Sequence, residues 1–288
     1  MYPKPFEYTR AKSLEHALQV LKENEGSRVI AGGQSLLPML KARLYQPTML
    51  VDINYVPELR TVELNEKKEL VIGAMVTHFD VIENNLIREN APILSSTAEH
   101  IADVQIRNRG TIGGSICEAD PSADYLPTLF ALEARVVLRT TESSREVPVE
   151  EVIQGPFETL VDDGEMLVQV IIPANRLNYR VEKYARRRAD FAIASVAAMA
   201  DVSTDGKINE VRIATGAMQD GPHRIRDLEK ELKGKKVSEV DLDELVGPST
   251  ETLDPIDDLH GGPEYRMSVL KAMISRIVRE LLTQGDGA

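Results

Sequence analysis

Two short glycine-rich segments carry the strongest chemical signal in the chain. They are Val29-Ile30-Ala31-Gly32-Gly33-Gln34-Ser35-Leu36 and Thr111-Ile112-Gly113-Gly114-Ser115. Paired glycines remove Cβ atoms, so backbone N–H groups can approach an anion closely. Gln34 and Ser35 add side-chain hydrogen bonds, and Ser35 also suits a helix N-cap. Before the second segment stands Arg107-Asn108-Arg109-Gly110. Its successive small residues suit an anion-binding nest, and Thr111 and Ser115 offer hydroxyls. Either segment alone is read equally well as a tight turn. Together they read as two sides of one dinucleotide pyrophosphate site. Asp120-Pro121-Ser122-Ala123-Asp124 follows. Asp120 or Ser122 suits a cap. Asp124, inside the next helix turn, can accept hydrogen bonds from a ribose or ribityl hydroxyl, as acidic residues do for ribose.

Neither segment matches G-x-G-x-x-G or G-x-x-x-x-G-K-[ST]. A nicotinamide-binding doubly wound fold and a nucleotide kinase lose support. The chain has one cysteine, Cys117, and five histidines without an H-x-x-x-H pair. It cannot form an internal disulfide or supply the usual four thiolates of an iron–sulfur cluster. Redox chemistry must then come from an organic cofactor or a partner chain. The net charge of −12 opposes nucleic-acid binding through a global positive field. No apolar run is long enough for a membrane span, and Met1-Tyr2-Pro3-Lys4-Pro5-Phe6 lacks a signal-peptide core. A cytoplasmic location is the expectation.

The elements that must position these residues follow from capping and periodicity. Ser13 predicts a helix to about Asn24, with Leu14, Ala17, Leu18 and Leu21 as its apolar stripe. A strand over 28–31, a helix over 35–44 and a strand over 48–53 make a parallel crossover unit. Further strands are expected at 69–74, 133–140 and 166–172. Helices are expected from Thr77 to about Asn84, at 91–102 and at 123–132. Composition changes near 174–180. Beyond it, strands at 180–186, 193–202 and 208–217 form an antiparallel sheet, the last two joined at Asp205-Gly206. Helices near 224–233, 238–245 and 265–282 cover one face. Residues 247–263 read as a long loop.

Four blocks in register resemble the FAD-binding medium subunit of the molybdenum hydroxylases. They are Ala31 to Leu36, His100 to Ser115, Asp120 to Asp124, and Arg187-Arg188-Ala189-Asp190-Phe191-Ala192. That family includes the medium chains of carbon monoxide and glyceraldehyde dehydrogenases and the flavin domain of xanthine dehydrogenase. The resemblance implies an α+β fold: a PCMH-type two-subdomain FAD-binding domain, then a small C-terminal antiparallel sheet with helices. The implied limits are 1–175, with subdomains about 1–55 and 56–175, and then 176–288. FAD would lie extended between the two parts. Residues 29–36 and 111–115 would hold the pyrophosphate by backbone N–H groups. Asp124 would bind the ribityl or ribose side, and Ile101 would sit against the flavin. Leu167 would line the adenine or ribose pocket, and Lys183 would contact the cofactor.

The resemblance also implies electron transfer rather than substrate oxidation, with no catalytic acid or base in this chain. Electrons would pass from 2Fe-2S clusters of a small partner subunit through FAD to an external acceptor. A large molybdopterin-binding subunit would oxidise the substrate, the whole forming a dimer of heterotrimers. Arg186-Arg187-Arg188 suits a solvated face, a partner or an anionic acceptor. Phe191 would either cover the flavin or be buried. A benzoyl-CoA-reductase-like branch, with a cysteine-rich insertion, does not fit one cysteine. Glu118 departs from the family's pattern, where a neutral residue is expected. A carboxylate there costs affinity unless it points away. Two other classes stay open: a stand-alone flavin oxidoreductase of the same fold, and a non-catalytic nucleotide-binding protein.

Overall fold

The structure, a computed structural model, describes residues 2–283. Met1 and residues 284–288, which the expected limits include, lie outside the described residues. The N-terminal part is a three-stranded parallel sheet. Its elements are β1 (Glu7–Arg10), α1 (Leu14–Glu23), β2 (Ser27–Ile30), α2 (Leu36–Ala42) and β3 (Met49–Asp52), and β3 lies between β1 and β2. Ser13 caps α1 by accepting the His16 N–H at 3.1 Å. Leu14, Ala17, Leu18 and Leu21 are buried, as their spacing predicts. β3 is the central strand and is buried at all four positions. A strand covered on both faces reads as a continuous apolar run, here Met49-Leu50-Val51. β1 is short and mostly exposed, so it leaves no alternating signal in the sequence.

The second sheet is antiparallel, in the order β4 (Val62–Leu64), β5 (Leu70–Gly73), β10 (Met166–Ile172), β6 (Arg135–Arg139), β7 (Ser144–Pro148). Between β5 and β6 run α3 (His78–Glu83), α4 (Asn85–Asn90), α5 (Pro92–Ala98), α6 (Val104–Arg107), α7 (Ile112–Glu118) and α8 (Tyr125–Ala131). After β7 come α9 (Val149–Val152), β8 (Ile153–Gly155) and β9 (Glu158–Thr159). The expected helix at 91–102 is shorter: it ends at Ala98, after which His100 and Ile101 donate to the Thr97 and Ala98 carbonyls in tighter three-residue turns. β10 serves two cores. Leu167, Val170 and Ile172 join the large cluster beneath α5 and α8, while Met166 and Val168 pack toward α1 and β3. Each such side chain, fully buried, contributes about 2 kcal/mol of transfer free energy.

The C-terminal sheet is β11 (Asn178–Tyr184), β12 (Ala194–Val202), β13 (Ile208–Gly216) and β14 (His223–Arg224). Then follow α10 (Arg226–Leu232), α11 (Leu242–Ser249) and α12 (Pro263–Thr283). These helices cover one face, as expected. The other face is not bare: Ala197, Met199 and Ala214 join the large cluster, with α8 packed on β12 and β13. Small residues on both faces of β12, Ala197 on one and Ala194, Ala198 and Ala200 on the other, let helices approach from both sides.

Candidate cofactor site

The first glycine segment leaves β2 at the C-terminal end of the parallel sheet, where open α/β sheets bind ligands. Three consecutive peptides are fixed there by their carbonyls. Asn54 Nδ2 donates to the Ala31 carbonyl at 2.8 Å. Gln34 Nε2 donates to the Gly32 carbonyl at 3.0 Å, and the Leu37 N–H donates to the Gly33 carbonyl at 3.0 Å. In a planar trans peptide the N–H points opposite to the carbonyl. The N–H groups of Gly32, Gly33 and Gln34 are thereby oriented, and among the described residues they have no acceptor. Gly33 takes φ +71°, a conformation that favours glycine. Ser35 stands at the N-cap of α2, but its hydroxyl makes no capping bond.

Asn54 was not foreseen as part of this arrangement. It is itself held by Asp52, whose Oδ1 accepts from Asn54 Nδ2 at 2.8 Å and whose Oδ2 accepts from the Tyr8 hydroxyl. An Asp-x-Asn at the carboxyl end of the neighbouring parallel strand was the available signal.

The second segment is not a loop but the start of α7, with Thr111 as N-cap. Its N–H groups are largely used internally. Ile112 donates to Val76 O and Gly113 to Ala74 O, both at 3.0 Å. Gly114 donates to Thr111 Oγ1 at 3.1 Å and Ser115 to Thr111 O at 3.0 Å. The segment's glycines serve close approach instead. A Cβ on Gly113 would fall 2.6 Å from Ala74 Cβ. The two segments meet directly: a Cβ on Gly32 would fall 2.1 Å from the Arg109 carbonyl oxygen and 2.8 Å from Gly110 Cα. On Gly114 it would fall 3.9 Å from Ala31 Cβ.

Asp124 and Lys183 also come together. Lys183 Nζ donates to Asp124 Oδ2 and to the His100 carbonyl, each at 3.0 Å. Burial pushes the Asp124 carboxyl up to about 6, against the opposing pull of Lys183. Asp124 Oδ1 is buried without a hydrogen-bond partner among the described residues. Burial, then Lys183 and Arg188, hold His100 below its usual range. Ile101 is half-buried beside the large cluster, and Arg107 Nη1 fixes its carbonyl at 2.8 Å. Arg107 therefore holds the turn at 101–102.

Leu167 is buried in the same apolar cluster that Ile101 packs against, on the strand at the centre of the second sheet. Phe191 is exposed, at 67 %. Burial pushes the Cys117 thiol up to about 11, the opposite of an activated nucleophile. Glu118 is the last residue of α7, and burial raises its carboxyl above the usual range against the opposing influence of the Ser35 hydroxyl.

The chain resembles known proteins along its whole length. The family described as FAD binding domain in molybdopterin dehydrogenase matches residues 4–175. The family described as CO dehydrogenase flavoprotein C-terminal domain matches residues 179–281. The glyceraldehyde dehydrogenase medium chain of Sulfolobus acidocaldarius is 35 % identical, covering 98 % of this chain and 100 % of the relative. The carbon monoxide dehydrogenase medium chain of Hydrogenophaga pseudoflava is 33 % identical, covering 96 % of each. Quinoline 2-oxidoreductase of Pseudomonas putida 86 has a chain of the same fold, with a TM-score of 0.93, 33 % identity and full coverage of both chains.

Proposed function

The chain belongs to the FAD-binding medium subunits of the molybdenum hydroxylases, and from that membership we propose that it relays electrons from 2Fe-2S clusters of a small partner subunit through FAD to an external acceptor. Bound FAD supplies redox chemistry in one- or two-electron steps, which suits it to join such partners. Substrate oxidation then belongs to a large molybdopterin-binding subunit, and the assembly is a dimer of heterotrimers. Among the described residues no helix is long and apolar enough to cross a membrane.

The residues fit the cofactor. What carries the reading is the cradle at 31–34, where three consecutive peptides are anchored by their carbonyls and leave their N–H groups without an acceptor among the described residues, just before the α2 N-terminus. Such an array suits a pyrophosphate. The start of α7 closes the other side, contributing shape and the Ser115 hydroxyl. Asp124 Oδ1 is a buried acceptor in need of a donor, and a ribityl or ribose hydroxyl is one. Lys183 holds that carboxylate in place, and Ile101 supplies an apolar edge for the flavin. Leu167 contributes through packing beneath an adenine or ribose pocket.

Reconstitution tests the relay. The purified chain is combined with the large and small subunits, and substrate-dependent reduction of an external acceptor is followed. Turnover should require all three subunits and bound FAD. Oxidation of an organic substrate by the isolated chain would instead make it a self-contained oxidoreductase.

A further inference from the structure

The three anchored carbonyls of the cradle are not held in the same way. Gln34 and Leu37, which hold the Gly32 and Gly33 carbonyls, belong to the segment itself and to α2. The Ala31 carbonyl is held from outside, by Asn54 Nδ2 at 2.8 Å. That bond decides which way the first N–H of the array points. A glycine accepts positive and negative φ about equally, so Gly32 does not itself fix the orientation of the peptide before it. Turned over, that peptide would present the Ala31 carbonyl oxygen to an anion in place of the Gly32 N–H.

Asn54 is in turn held at both ends. Asp52 Oδ1 accepts from the Asn54 backbone N–H at 2.9 Å and from its Nδ2 at 2.8 Å. Asp52 Oδ2 accepts from the Tyr8 hydroxyl at 2.5 Å. Burial opposes ionisation of Asp52, but these hydrogen bonds outweigh it and hold the carboxyl below its usual range. An ionised carboxylate only accepts, so the Asn54 amide turns its NH2 toward both Asp52 and Ala31. At the other end, the Asn54 carbonyl accepts from Arg60 Nη2 at 3.1 Å. Arg60 Nη1 donates to the Met75 carbonyl at 3.3 Å, and the Met75 N–H donates back to the Leu59 carbonyl at 2.8 Å. Ala74 and Val76, on either side of Met75, accept the Gly113 and Ile112 N–H groups at 3.0 Å. A path of backbone and hydrogen bonds therefore runs from the first glycine segment through Asn54 and Arg60 to the second.

We propose, on the strength of the FAD reading above, that Asn54 is a positioning residue for cofactor binding. Through the Ala31 carbonyl it sets the polarity of the cradle. Through Arg60 it sets the spacing of the two glycine segments across the pyrophosphate. It acts through these groups rather than by touching the cofactor, and Asp52 fixes the direction of its amide.

The test is FAD titration of the full chain, stripped of flavin, with phosphorus NMR of the bound cofactor and urea unfolding alongside. Asn54→Leu keeps the length of the side chain and removes its donors. It should bind FAD about ten- to a hundredfold more weakly. At saturating FAD its pyrophosphate resonances should move away from those of the unsubstituted complex, because a turned or loosened peptide no longer donates to a phosphate oxygen. Arg60 is exposed, so Arg60→Met makes no change in the core. It should weaken binding several-fold and shift the same resonances. A purely structural role would lower the urea midpoint and leave the bound resonances where they are. That result, or unchanged FAD affinity in both variants, would overturn the assignment of Asn54 and leave the FAD site standing. A loss confined to Asn54→Leu would overturn the link to the second segment. If Asn54→Leu fails to fold, Arg60→Met decides alone. Absence of FAD binding by the unsubstituted chain would remove the FAD reading and this assignment together.

Discussion

Lys183 Nζ and Asp124 Oδ2 stand 3.0 Å apart, joining β11 of the C-terminal sheet to the start of α8. Both side chains are buried, at 5 % and 10 % exposure. Two residues expected to touch the cofactor independently are thus one unit. Asp124→Asn keeps the shape but removes the charge that a hydroxyl donor would meet. Hydrogen bonds to charged groups contribute about 1.5–3 kcal/mol, so FAD affinity should fall by at least tenfold. Lys183→Met strands a buried carboxylate and should cost about 3–5 kcal/mol of stability. Flavin titration and urea unfolding of both single variants and the double variant check this. The double variant should unfold less readily than Lys183→Met alone.

His78 links the second glycine segment to pH. Its ring lies beneath Gly110, where a Cβ would fall 2.5 Å from Nε2. Burial, with Arg107 nearby, pushes the imidazole down to about 4 from its ordinary 6.5. The unfolded chain therefore binds more protons between those values, and stability falls as pH falls from about 6.5 to 4. The shift corresponds to a loss on the order of 3 kcal/mol over that window. His78→Gln should flatten that part of the profile, measured by urea unfolding at several pH values.

How far the sequence disclosed this arrangement follows from what each residue's role depends on. The strand at 166–172, the N-cap at Ser13 and the hairpin at Asp205-Gly206 rest on local periodicity, capping and turn chemistry. They stand where those rules put them. Gly32 was legible as a close-approach residue, but its neighbour, the Arg109 carbonyl, lies far along the chain. Asn54 left only the Asp-x-Asn at the end of β3 as a signal, because its task is to hold the Ala31 carbonyl just beyond the adjacent strand. That Ile112 and Gly113 spend their N–H groups on Val76 and Ala74 depends on the segment after β5 lying beside them. Such pairings are tertiary facts with no local signature.

Arg266 is the largest fully buried side chain and ties two loops together. Its Nη1 donates to the Ile193 carbonyl at 2.8 Å, Nε to the Gly261 carbonyl at 3.0 Å, and Nη2 to Asp258 Oδ1 at 2.6 Å. Arg266→Met leaves these acceptors unpaired and should cost about 3–5 kcal/mol. Hydrogen exchange should accelerate over residues 185–193 and 257–262, while the first glycine segment keeps its protection.

The central claim is that the cradle at 31–34 holds FAD against the start of α7. Gly32→Ala places a Cβ against the Arg109 carbonyl, whereas nothing lies within 4 Å of one at Gly247. The deciding measurement is FAD titration of the full chain and these two variants, by quenching of flavin fluorescence, with circular dichroism to confirm folding. The unsubstituted chain and Gly247→Ala should bind one FAD each, and Gly32→Ala should bind it at least about a hundredfold more weakly, the equivalent of ~2.7 kcal/mol. A folded Gly32→Ala that binds FAD as tightly as the unsubstituted chain would contradict the claim.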